Sequence, residues 1–202
     1  MYHFNQTLKD GADAVKLLVP ILNKTYDNAN FERYDDGGDI DRKFSVDLLA
    51  EFPEKTTTWA SKFRDGYSSH HYKDVTIELM NGTGEKGDFY RFAGGMVTNY
   101  IYGYYNKFNG NVTKIFDVYI LNTKKLIEIP KECWKGNKVK TFPGIGSVKC
   151  YQNSKYGRAW FTAIPLADIH HCGAIEQILE KRWIAKFNLS NKNQTILFEA
   201  DN

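Results

Sequence analysis

Side chains that could do chemistry concentrate between residues 31 and 80. The stretch FERYDDGGDIDRKFSVDLLAEFPEKTTTWASKFR opens with Asp35, Asp36, Asp39 and Asp41 around two glycines. It continues into an alternating apolar run that carries Asp47, turns at Pro53-Glu54-Lys55, and returns in a Thr-rich run that carries Lys62. A third run, DVTIELM, carries Glu78 among apolar neighbours. A carboxylate inside an apolar strand is costly to bury unless it is paired or bound to a cation. Carboxylates and a lysine brought together by neighbouring strands can hold a divalent cation and a phosphate at one spot.

The elements that position these groups follow from alternation. Phe44, Val46, Leu48, Ala50 and Phe52 fall on one face of a strand, and Ser45, Asp47, Leu49 and Glu51 on the other. The residues Pro53 to Lys55 suit a hairpin connection. The next strand spans Thr56 to Phe63, with Ala60, Lys62 and the following Arg64 on a shared face. In the third strand, Thr76, Glu78 and Met80 share a face, and Glu78 reads equally well as a charge that guards a sheet edge. Arg42 and Lys43 can balance the acidic loop or approach a phosphate. The acids of that loop lack EF-hand spacing, and Asp35 and Asp36 read as a solvated turn. His70 and His71, adjacent in a polar stretch, read mostly as surface residues.

Around this centre the pattern gives a helix over residues 8 to 22, with Asp10 as its N-cap and Val15, Leu18, Val19 and Leu22 as its apolar stripe. Pro20 should kink it or end it early. Phe31 to Tyr34 is a short first strand. A second helix is expected from Asp88 to about Asn106, since Phe89, Phe92, Ala93, Met96, Tyr100 and Tyr104 recur at helical spacing. Thr113 to Asn122 is a strong, central strand. The rest reads as a basic loop between Cys133 and Cys150, a strand from Arg158 to Ile164, and a helix from Gly173 to about Trp183.

A strand acid, a hairpin turn and a lysine on the returning strand resemble the PD-(D/E)XK nuclease superfamily, the restriction-endonuclease-like fold. Asp47 matches the first position of that motif and Lys62 the last. The chain departs from the motif at Ala60, where an acid normally stands two residues before the lysine, and Glu78 is the candidate for an acid moved to a later element. The resemblance implies an α/β fold, a mixed sheet flanked by helices with core order αβββαβ over about residues 8–122 and a C-terminal extension over about 123–202, within a single domain. It implies a metal-dependent DNA endonuclease that uses Mg²⁺ or Mn²⁺. Asp47 and Glu78 would be metal ligands with Asp41 a third, Lys62 would serve the attacking water or the phosphate charge, and Arg64, Arg42 and Lys43 would grip DNA. The other reading is a nuclease-like fold that no longer cuts and instead binds nucleic acid or a protein partner. A double-strand cutter would work as a homodimer.

Composition sets the bounds. The chain of 202 residues, 42% hydrophobic and 15% aromatic, can bury one sizeable core, which excludes a disordered chain. A net charge of +3 permits a nucleic-acid partner without demanding one. No run of 18 apolar residues exists, so no membrane span is expected. Three unpaired-looking cysteines, Cys133, Cys150 and Cys172, and an N-terminus without signal-peptide layout lead to the expectation of a cytoplasmic protein. Their spacing lacks the paired pattern of a zinc site.

Overall fold

The computed structural model describes residues 2–34, 46–66, 73–153, 158–180, 183–186 and 197–200. In chain order, helix α1 (Tyr2–Thr25) is followed by strands β1 (Asn30–Arg33), β2 (Leu48–Phe52), β3 (Lys55–Asp65) and β4 (Asp74–Met80). A short helix α2 (Asp88–Ala93) leads to β5 (Asn99–Phe108) and β6 (Asn111–Asn122). Then come α3 (Thr123–Ile127), a 3₁₀ turn (Lys131–Cys133), β7 (Lys138–Phe142), β8 (Gly146–Gln152), β9 (Trp160–Pro165), α4 (Leu166–His171) and β10 (Ile175–Leu179). A separate two-stranded ladder joins β11 (Trp183–Lys186) to β12 (Leu197–Ala200).

Two sheets make the mixed α/β body. The larger has six strands in the order β1-β2-β3-β5-β6-β10, and the smaller has four in the order β4-β9-β8-β7. The β2–β3 hairpin forms as its alternation predicts, in register from Leu48↔Trp59 to Phe52↔Lys55. Strand β3 then pairs in parallel with β5, from Trp59↔Asn99 to Asp65↔Tyr105. Parallel neighbours need a crossover, and here β4 and α2 supply it. Strands β5 and β6 close through Asn109-Gly110, both with positive φ (50° and 78°), as tight hairpin turns require.

One face of the large sheet packs on α1. Ala14, Val15, Leu18 and Leu22 meet Phe31, Leu48, Ala50, Trp59, Phe63, Ile101 and Val118, with the Phe31 and Trp59 rings edge-to-face at 4.9 Å. The other face, with Ala60, Tyr100, Tyr102, Tyr104 and Leu121, shares a core with the small sheet and α2–α4. The expected core and C-terminal extension therefore interleave: β4 leaves for the small sheet, and β10 completes the large one on β6.

Several expectations change. The helix expected to run from Asp88 to Asn106 stops at Ala93, and β5 takes over at Asn99. Gly95 has φ of 69°, and its amide closes on the Phe92 carbonyl at 3.0 Å, which ends the helix. Tyr100 to Tyr105 are then buried on both faces of a central strand, so the run shows no polar alternation and mimics a buried helix. Helix α1 continues through Pro20 to Thr25. Pro20 lies on the exposed side, where the carbonyl it leaves unbonded meets water. Asp10 is not a cap but a buried acid within α1, bonded by the Tyr105 hydroxyl at 3.2 Å and ion-paired with Lys107. The basic stretch after Cys133 is the β7–β8 hairpin, and the region expected as a helix from Gly173 holds β10 and β11. No helix among the described residues is long and apolar enough to cross a membrane.

Candidate active site

Alternation along β3 turns Trp59 and Phe63 towards α1 and leaves Ala60, Lys62 and Arg64 on the opposite face. Parallel register sets Ala60 beside Tyr100, Lys62 beside Tyr102 and Arg64 beside Tyr104. This gives two adjacent columns, one ending in cations and one of tyrosines.

Asp47 stands at the mouth of β2, one residue before its pairing with β3 begins at Leu48↔Trp59. Its amide donates to the Trp59 carbonyl at 2.9 Å. Its Oδ2 accepts from the Ser61 amide and, at 3.0 Å, from the Ser61 hydroxyl. The carboxylate thus reaches past Ala60, the position where the resembled motif has its second acid. The Tyr100 hydroxyl is pushed well above its ordinary value mainly by burial and then by the Asp88 charge, with Asp47 a small further contribution that puts it within electrostatic reach of the tyrosine column.

Strand β4 comes over the same face. The Tyr100 hydroxyl donates to the Thr76 carbonyl at 3.1 Å. Arg64 bonds Asp74 at 3.4 Å and lies 5.8 Å from the Tyr102 ring centroid. Glu78, two residues beyond Thr76 on that strand, lies within electrostatic reach of Lys62. Burial pushes the Glu78 carboxyl up from its ordinary value, and the Asp88 charge pushes it further, against the pull of Lys62 and Arg91. Asp74 is likewise raised by burial, against Arg64 and Lys135. The Tyr102 hydroxyl, buried beside Thr76, is pushed up to about 12 mainly by burial.

Asp88 and Arg91 also belong here, although the sequence pattern makes Asp88 only the start of a helix and gives Arg91 no role. They form an i,i+3 ion pair at 3.5 Å on α2. Gly87 brings them in: a Cβ at this residue would lie 2.6 Å from the Glu78 carbonyl oxygen and 2.8 Å from Glu78 Cγ. Only glycine permits that approach. The visible signals were the Gly87-Asp88 step and the acid–base spacing of Asp88 and Arg91.

Lys62 and Arg64 therefore share one sheet face with Glu78 within electrostatic reach of Lys62, and Asp47 stands at the mouth of β2 bonded to Ser61. Asp41, Arg42 and Lys43 lie outside the described residues, as do His70 and His71. Among the described residues, no three His, Cys, Asp or Glu side chains gather closely enough to enclose a metal ion. The oxygen donors of Asp47, Glu78 and Asp88 are of the kind that suits a hard divalent cation, and the mutual repulsion of Glu78 and Asp88 is what such a charge would relieve. Chemically, the face offers carboxylates for a cation or a water, and ammonium and guanidinium groups for a phosphate.

No protein-family model, no curated protein sequence and no solved structure matches the chain.

Proposed function

We propose that this protein is a metal-dependent DNA endonuclease with a divergent restriction-endonuclease-like core. The observation that carries this reading is the convergence of Lys62 on β3 with Glu78 on β4, over the face where Asp47 closes the mouth of β2. Glu78 takes the place of the acid missing at Ala60. The order of elements supports the same reading: a helix, the meander β1–β2–β3, a crossover containing α2, and β5 parallel to β3.

Asp47 and Glu78 would hold Mg²⁺ or Mn²⁺, with Asp41 a further donor. The cation supplies charge neutralisation on the phosphate and a more acidic water. Lys62 stabilises charge that develops on the phosphate or orients the attacking water. Arg64, anchored by Asp74, offers a guanidinium to a neighbouring phosphate. Ser61 holds the Asp47 carboxylate in one orientation through its amide and hydroxyl.

The test is nicking of supercoiled plasmid with Mg²⁺, Mn²⁺ or EDTA. Asp47→Asn keeps an oxygen for the Ser61 amide, so it separates chemistry from folding better than alanine does. Metal-dependent nicking that disappears in Asp47→Asn and Lys62→Met is the expected result. Undiminished nicking in either variant overturns the assignment. A second reading is a nuclease-like fold that binds without cutting, favoured by the engagement of Asp47 with Ser61 and the lack of a three-ligand cluster among the described residues. No nicking with any metal would select it.

A further inference from the structure

Asparagine is followed by glycine twice in this chain, at Asn81-Gly82 and at Asn109-Gly110. The step has chemistry of its own. Glycine has no Cβ to crowd its amide nitrogen, so that nitrogen can reach the asparagine side-chain carbonyl carbon and close a five-membered ring. The main chain must leave its turn geometry before the ring can close. In a folded protein the rate therefore follows how often the turn opens, and the two steps differ in that freedom.

Asn81 is tied down through side chain and main chain alike. Its Oδ1 accepts from the Thr83 amide at 3.0 Å, the Thr83 hydroxyl at 2.7 Å and the Glu85 amide at 2.8 Å. Its Nδ2 donates to Glu85 Oε2 at 2.7 Å. Its own amide donates to the Glu85 carbonyl at 2.9 Å, and its carbonyl accepts from the Gly84 amide at 3.1 Å.

Asn109 stands at the tip of the β5–β6 hairpin, exposed, with no side-chain hydrogen bond to the described residues. Strand β3 flanks β5 only as far as Asp65↔Tyr105, and β10 flanks β6 only as far as Leu179↔Val118. From Asn106 outwards the hairpin is therefore a two-stranded ribbon, and residues 106–111 are all exposed. Such a ribbon is marginal in water on its own. A register shift between Asn106 and Lys107 breaks its ladder once more.

We propose that Asn109 is a site of spontaneous deamidation in the folded protein, and that Asn81 is protected from the same reaction. The Gly110 amide nitrogen attacks Asn109 Cγ. The new N–Cγ bond forms, the Cγ–Nδ2 bond breaks, and the Gly110 amide proton leaves with Nδ2 as ammonia. Water then opens the succinimide at either ring carbonyl, giving aspartate or isoaspartate, with nothing oxidised or reduced. Either product lowers the net charge of +3 by one. In the isoaspartyl product the main chain runs through the side-chain methylene. The turn gains an atom, and the Phe108↔Asn111 pair that closes the hairpin is lost. The change stays within the ribbon, because Tyr105 at its base is buried and bonded to Asp10. This inference is independent of the nuclease reading.

The test holds the whole folded protein in mildly alkaline buffer, digests it with trypsin, and follows the amide-to-acid mass change in residues 108–114 and 74–86. Asn109 should convert at least about tenfold faster than Asn81. In urea, where both turns are lost, the two rates should converge. Asn109→Gly keeps a residue that accepts positive φ, and should leave 108–114 unconverted, which assigns the reaction to Asn109 and not to Asn111. Thr83→Ala combined with Glu85→Ala removes the hydroxyl and carboxylate partners of Asn81 and should raise its rate. Equal rates in the folded protein, an Asn109 that stays an amide while the urea-unfolded chain converts, conversion of 108–114 in Asn109→Gly, or an Asn81 rate unmoved by the double variant would overturn the proposal.

Discussion

The Tyr100 hydroxyl donates to the Thr76 carbonyl at 3.1 Å, and this bond ties the interior of the large sheet to the terminal strand of the small one. Both groups are buried, so the bond fixes where β4 crosses the Lys62–Arg64 face, and with it where Glu78 sits. Tyr100→Phe leaves the Thr76 carbonyl without this donor. The expected cost is about 1–3 kcal/mol of stability, read as a lower urea midpoint at unchanged slope, with a fall in nicking because Glu78 is less firmly placed.

Lys62 and Asp47 should separate by their effects on stability. Lys62 is half-buried and carries no structural hydrogen bond to backbone among those described, so Lys62→Met should fold like the parent and lose about 100- to 1,000-fold in cleavage rate. Asp47→Ala removes the acceptor for the Ser61 amide and should cost about 1–3 kcal/mol in addition to activity. Asp47→Asn should recover most of that stability and none of the activity. Equal denaturation midpoints for the alanine and asparagine variants would show that the Ser61 contact is energetically idle.

The pH dependence follows from Glu78. Its carboxyl is raised above the ordinary glutamate value of 4.5 by burial and by Asp88, so the folded protein holds this proton more tightly than the unfolded chain. Stability from this group is complete at pH below 4.5 and declines as pH rises through the elevated folded value. Glu78→Gln should therefore be more stable than the parent at neutral pH, with the advantage shrinking as the buffer is taken down towards the ordinary glutamate range. Asp74 shifts in the same direction and stays in both proteins, so the difference between parent and variant isolates Glu78. Cleavage, if it needs the Glu78 carboxylate, should rise with pH through a range above 4.5.

What the sequence made legible was the hairpin and its two chemical residues. The alternation around Asp47 and Lys62 is legible because the large apolar residues Leu48, Ala50, Trp59 and Phe63 all face α1, and the third strand, Asp74 to Met80, has the bounds its pattern predicts. Tyr100 to Tyr105 were misread because a strand buried on both faces shows no period of two, and Tyr100 and Tyr104 also satisfy helical spacing. The pattern at Asp10 misleads because a buried acid in mid-helix is accounted for by partners such as Tyr105 and Lys107, about a hundred residues away in sequence. The passage of β4 into a sheet with β7–β9 depends on long-range pairing that no local pattern encodes. Asp88 and Arg91 reach the site through that passage together with the close approach at Gly87.

The Asp10 cluster yields a prediction distinct from the site. Asp10→Ala strands the Tyr105 hydroxyl, which is buried, while Lys107 can turn towards water. The expected loss is about 1–3 kcal/mol in urea denaturation, with cleavage unchanged in the folded fraction.

Gly87 offers the sharpest test of how α2 shapes the site. The Gly87 amide donates to the Leu79 carbonyl at 3.2 Å, so the start of α2 is pinned flush against β4. A methyl group there would meet Glu78 backbone atoms at 2.6 and 2.7 Å, and backbone cannot yield as the end of a flexible side chain can. Gly87→Ala must therefore push α2 away from β4, at a cost of about 1–3 kcal/mol from overpacking. The same movement carries Asp88 away from Glu78 and removes one of the two influences that raise its carboxyl. The acidic limb of the cleavage profile should then shift to lower pH in Gly87→Ala, whereas a distant destabilising change such as Asp10→Ala should leave it in place. A profile that does not move in Gly87→Ala would mean that burial alone sets the Glu78 proton affinity and that Asp88 takes no part in the site.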